Sequence, residues 1–148
     1  MSKTLDYVNN LSTKKFITLS VLLGVISTIP FSIIGILFNI PFNGIEIDNN
    51  FMYIYIIIIG PIIESIFIII ITRIVGIFTK NKFTITIITA VIFACNHTYS
   101  LIYIFTVFIP GLTFVYAYMI YDNKDKKLSS FWIMTIIHMI YNLMQSIL

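Results

Sequence analysis

Charged side chains are scarce in this chain. Asp, Glu, Lys and Arg make up 10% of its 148 residues, 59% are hydrophobic, and the mean hydropathy is +1.01. A soluble domain carries about a quarter charged residues, so this chain cannot cover a water-facing surface. Cysteine is nearly absent too. Cys95 stands alone, which excludes an internal disulfide, and no Cys/His metal spacing surrounds it. No basic run is interleaved with aromatic residues, so no nucleic-acid partner is expected. Internal repeats, low-complexity linkers and lipidation motifs are also missing. The length allows one compact bundle and no second folded domain. Residues 1–148 are therefore expected to form a single transmembrane domain with the lipid bilayer as its solvent.

What the chain has in abundance is apolar length. A helix needs about 20 mostly apolar residues to cross a hydrocarbon core of roughly 30 Å. Five candidate helices follow, over about 16–40, 51–78, 83–97, 100–121 and 130–148. The fold class expected is an all-α, polytopic bundle. The first segment is too long for a cleaved signal peptide, and no small-x-small site follows it. The third rises only about 22 Å, so it must tilt, extend, or stop inside the protein. Pro110-Gly111 marks a kink in the fourth.

The few charges are sorted along the chain. Lys3, Lys14 and Lys15 precede the first helix, Lys80 and Lys82 follow the second, and Lys124, Lys126 and Lys127 follow the fourth. The first connection carries Glu46 and Asp48 without Lys or Arg, and the third carries no basic residue. This alternation fits the positive-inside rule with the N-terminus inside and the C-terminus outside. A multi-pass protein of the cell membrane is expected, and the Ile-rich composition points to a prokaryotic one. Tyr53, Tyr55, Tyr99, Tyr103, Tyr121 and Trp132 fall near predicted helix ends, where an aromatic belt belongs.

Ionisable groups in a bilayer are costly, and each needs a reason. Glu64 stands near the middle of the second helix, His97 ends the third, and His138 and Asn142 lie in the fifth. His138 and Asn142 are four apart and share a face. Glu64 and Arg73 are nine apart and project from nearly opposite faces, so they form no intrahelical pair; Arg73 sits where it can snorkel. With the polar faces turned inward, a carboxylate, two imidazoles and a carboxamide from three helices converge. Carboxylate beside imidazole suits water activation, and imidazole with carboxamide suits an oxyanion. The plainer reading of each residue is a protonated glutamate, an interfacial histidine, or polar glue between helices.

The same residues carry a resemblance. Phe93-Ala94-Cys95-Asn96-His97 and His138-Met139-Ile140-Tyr141-Asn142, with Pro61-Ile62-Ile63-Glu64-Ser65 before them, resemble the three motifs of the CAAX-protease and bacteriocin-processing family of intramembrane proteases, also called the CAAX prenyl protease 2 or Abi group. That family reads Pro-x-x-Glu-Glu-x-x-x-Arg, Phe-x-x-x-His and His-x-x-x-Asn on separate helices. The resemblance covers roughly residues 51–148. Two positions depart from it: Ser65 replaces the second glutamate, and Ile69 stands in place of the arginine, with Arg73 one turn further on.

The resemblance implies metal-independent endopeptidase chemistry on a membrane-associated or hydrophobic peptide or protein. It implies Glu64 as the base on a water shared with His97, His138 and Asn142 as oxyanion stabilisers, and no cofactor. The alternative is a catalytically impaired relative, such as a bacteriocin-immunity or other membrane interaction protein. A metal held by Glu64, His97 and His138 ranks lower, because the chain has no His-Glu-x-x-His segment. A transporter ranks lower still without repeat symmetry. The sequence leaves oligomeric state open.

Overall fold

The computed structural model describes residues 10–40, 50–121 and 128–147. Five helices account for almost all of them: α1 (Thr13–Leu37), α2 (Asn50–Phe78), α3 (Lys82–Cys95), α4 (Leu101–Ile120) and α5 (Ser130–Gln145). No strand is present among the described residues. α1, α2 and α4 are long and apolar enough to span a membrane, and α3 is a shorter apolar helix. The chain is a helical membrane bundle. Lys3, Glu46, Asp48, Lys124, Lys126 and Lys127, which carry much of the charge alternation, lie outside the described residues, as does Leu148 at the end of the expected fifth helix.

Local chemistry sets the helix starts. Asn81 accepts hydrogen bonds from the Phe83 and Thr84 amides, Ser100 from Tyr103, and Ser129 from Trp132. At the end of α2, Lys80 Nζ donates to the Gly76 carbonyl at 2.8 Å, satisfying one of the last free acceptors. α1 and α4 run on through Pro30 and Pro110, each of which removes one backbone donor without ending its helix.

Packing follows from which faces carry small or apolar side chains. α2 packs against α3 and α5, and α4 against α1, α3 and α5, so α2 and α4 stand diagonally across a four-helix ring. α1 fills the outer groove between α4 and α5, where Gly24 allows the Tyr141 ring close; a methyl there would come to 3.2 Å from it. The core joins Ile68, Phe93, Phe114, Val115, Ile133, Met134 and Ile137, all almost fully buried. Leu23, Ile26 and Ile36 of α1 and Ile77 and Phe78 of α2 are exposed, as lipid-facing side chains are.

One expectation changes. Tyr53, Tyr55, Tyr99 and Trp132 are exposed, as an aromatic belt requires, but Tyr121 is buried and its hydroxyl pairs with Thr13 Oγ1. Tyr103 turns into the bundle because its helix face meets a cavity there. The short third helix ends at Cys95, beside the cavity. Antiparallel to α2 and joined to it by a short connection, α3 brings His97 level with Glu64 about 22 Å from that connection.

Candidate active site

A cavity of about 560 Å³ lies between α2 and α4, walled on its other sides by α3 and α5. Glu64, His97, His138 and Asn142 all line it. The four polar residues of three different helices that stand out in the sequence share one space. Its remaining walls are mostly aromatic and aliphatic, including Phe93, Tyr103, Phe114 and Tyr141.

Glu64 is the centre of the group. Its Oε2 lies 3.3 Å from His138 Nε2 and 3.8 Å from His97 Nε2. The two histidines are held by different means. His97 Nδ1 is 2.9 Å from the Phe93 carbonyl, which can only accept, so the ring proton belongs on Nδ1. Its Nε2 then presents a lone pair toward the carboxylate. Two acceptors 3.8 Å apart suit a water that donates a hydrogen to each.

His138 has no such hydrogen bond: its Nδ1 is buried without a partner. A proton on Nε2 faces Glu64, whereas one on Nδ1 would face nothing. The ring is oriented by packing. It stacks on Phe114 with centroids 4.2 Å apart at 25°, and the edge of Phe93 meets it at 6.0 Å and 81°. Phe93 also lies edge-on to His97 at 4.8 Å. One phenylalanine thus braces both imidazoles. α4 makes room for it at Gly111, where a Cβ would stand 2.9 Å from Phe93 Cδ1.

Asn142 acts at a break in α2. Over Tyr55–Ile59 that helix is π-helical, and Gly60 N–H reaches back to the Tyr55 carbonyl. The next donor in that pattern would come from residue 61, but Pro61 has no N–H. The Ile56 carbonyl left over accepts from Asn142 Nδ2 at 2.9 Å. The first and third motifs therefore meet through the backbone, one motif removing a donor and the other supplying it. The second amide hydrogen of Asn142 is not used by this bond.

The two departures from the motif have plain placements. Ser65 is fully buried, and its hydroxyl has no hydrogen-bond partner. Ile69 packs against the apolar core. Arg73 is exposed on the outer face of α2, opposite Glu64 as the nine-residue spacing requires. Among the described residues, no group of three His, Cys, Asp or Glu side chains is arranged as a metal cage.

Sequence reasoning missed Phe114, Tyr103, Tyr141 and Gln145 as parts of the cavity. Phe114 and Tyr141 carry no signal in a chain with 13 Phe and 9 Tyr. Gln145 was findable: it follows Asn142 by three residues on the same face and reaches Thr28 Oγ1 of α1 at 3.4 Å.

Fold and site together define a helical membrane protein with a carboxylate and two imidazoles gathered between its helices. A family model for type II CAAX prenyl endopeptidase Rce1-like proteins matches residues 47–144, about two thirds of the chain. The chain belongs to that family, one of intramembrane CAAX-type endopeptidases. Comparison with curated proteins and with solved structures gave no match.

Proposed function

We propose that this protein hydrolyses a peptide bond in a membrane-associated or hydrophobic peptide, with Glu64 as general base. The observation that carries the reading is the convergence of Glu64 Oε2 on both imidazoles at 3.3 and 3.8 Å in one cavity. A water between Glu64 and His97 gives up a proton to the carboxylate as its oxygen attacks the peptide carbonyl. Once Glu64 is neutralised by that proton, His138 Nε2–H turns from it to the oxyanion that forms, together with the Asn142 N–H not used on Ile56. Glu64 then returns the proton to the leaving amine. Each step uses groups the chain supplies.

Ser65 and Ile69 favour a second reading, in which the cavity binds a peptide without cutting it. The test separates the two. Purified protein in bilayers or detergent is given quenched fluorogenic peptides, with and without a chelator. Hydrolysis is expected in the wild type, reduced on the order of 100- to 10,000-fold in Glu64→Gln. Equal cleavage by both would remove the base role. Peptide binding with no hydrolysis would establish the second reading, and loss of cleavage with the chelator would bring in a metal at Glu64, His97 and His138.

A further inference from the structure

The place of the cavity's rim in the fold can be read from its lining. Ser32 lies near the C-terminal end of α1, Tyr55 near the N-terminal end of α2, Tyr99 between α3 and α4, and Gln145 at the C-terminal end of α5. All four are exposed, and all four helix ends belong to the same end of the bundle. The floor is buried, formed by Phe93, Phe114 and His138. α3 ends at the level of Glu64, so nothing from α3 walls the space above it. The cavity therefore opens toward the end that holds the α1–α2 connection, the α3–α4 connection and the C-terminal end of α5.

The basic residues lie at the other end. Lys14 and Lys15 open α1, Lys80 lies between α2 and α3, Lys82 starts α3, and Arg73 lies in the last turns of α2; in the sequence, Lys124, Lys126 and Lys127 fall between α4 and α5. The connections at the open end hold no Lys or Arg, and the first of them carries Glu46 and Asp48. Every Lys and Arg among the described residues sits opposite the mouth. Under the positive-inside rule the basic end is cytoplasmic.

The cavity's own chemistry narrows the guest. Among the described residues its lining contains no Lys and no Arg, and Glu64 is the one carboxylate there. A free peptide C-terminus or an acidic segment would find no cation to pair with. Tyr55, Tyr99, Tyr103 and Tyr141 offer ring faces and hydroxyls, which suit apolar and cationic side chains.

We infer that the site works from the non-cytoplasmic face, and that its substrate class is an apolar or cationic peptide segment presented on that side, cut internally. The proposal rests on the hydrolytic reading above for the cutting, and on charge and topology for the side. A cytoplasmic prenylated C-terminus would meet the closed, basic end.

The test begins with sidedness, independent of any activity. In a Cys95→Ala background, single cysteines are placed by Thr98→Cys at the open end and Leu128→Cys at the basic end, both exposed positions. Intact cells are treated with a membrane-impermeant maleimide. Thr98→Cys is expected to label in intact cells, and Leu128→Cys only after permeabilisation. The reverse pattern, or labelling of Leu128→Cys in intact cells, overturns the inference. A second arm supplies fluorogenic peptides with Lys or with Glu flanking the same apolar core, outside or sealed inside right-side-out vesicles. Cleavage from outside, with a KM several-fold lower for the Lys peptide, supports the proposal. Cleavage only from inside, or a preference for the Glu peptide, overturns it. If labelling is as expected but neither side shows cleavage, hydrolysis itself is refuted and the side of the site stands.

Discussion

At the scale of single residues, the two imidazoles differ in what holds them. His97 is tied by a hydrogen bond to its own helix, whereas His138 is held by a stacked ring with Nδ1 unpartnered. Removing the stack should cost orientation more than binding. Phe114→Leu is expected to lower kcat about tenfold with little change in KM, because a misplaced donor acts in the transition state rather than in substrate capture. An equal loss in the two constants would refute that role. Ser65 makes the opposite case. Its buried hydroxyl has no partner, so Ser65→Ala should leave melting temperature and cleavage unchanged or slightly raised. A large loss of activity would show that the hydroxyl takes part. Glu64, His97 and His138 were legible in the sequence because ionisable groups are conspicuous in hydrocarbon. Phe114 was not, since one aromatic residue among many apolar ones carries no mark until its neighbour across the bundle is known.

At the scale of elements, α2 is the part least readable from sequence. Its apolar run and Pro61 announced a helix with a missing donor, but not the π-turn or the side chain that answers it. Those depend on which residue of α5 comes alongside, a tertiary fact. The arrangement makes a coupled prediction. Asn142→Ala should lower stability and cleavage by leaving the Ile56 carbonyl bare, by about 1–3 kcal/mol. Pro61→Ala restores an N–H at that position, so the double variant should recover part of both losses. Strict additivity in thermal unfolding and in kcat would show that the two motifs are not linked through this carbonyl. α4 has a similar point of contact at Gly111. Gly111→Ala forces Phe93 to shift, with a cost of about 1–3 kcal/mol, and should disturb His97 and His138 together. An unchanged melting temperature and activity would mean that the ring yields freely.

At the scale of the whole molecule, the number of helices and their apolar character were readable because bilayer thickness and residue rise fix them. The shortness of α3 was visible too, and an end inside the protein was one of the three readings it allowed. Packing beside α2 shows that the helix ends level with Glu64. The family match covers residues 47–144 and leaves α1 wholly outside it, yet α1 packs on α4 and α5 with Gly24 against Tyr141. A larger residue at that contact should reach the site through Tyr141. Gly24→Leu is expected to lower the melting temperature and raise KM by crowding the cavity wall; a change in neither would make α1 a passive cover.

The truncated third helix has an electrical consequence as well. Where water enters a membrane protein, the transmembrane voltage falls mainly across the dry thickness that remains. Water filling the cavity above Glu64 from the proposed open face would bring the potential of that face down to the carboxylate. A cationic side chain could then reach that level without crossing most of a field worth about 2.3 kcal/mol per charge for every 100 mV. Imposing a voltage on sealed vesicles should accordingly leave the binding of Lys-flanked peptides almost unchanged. For this protein the membrane potential would act on the packed half below the site, as an insulator does, and hardly on the guest.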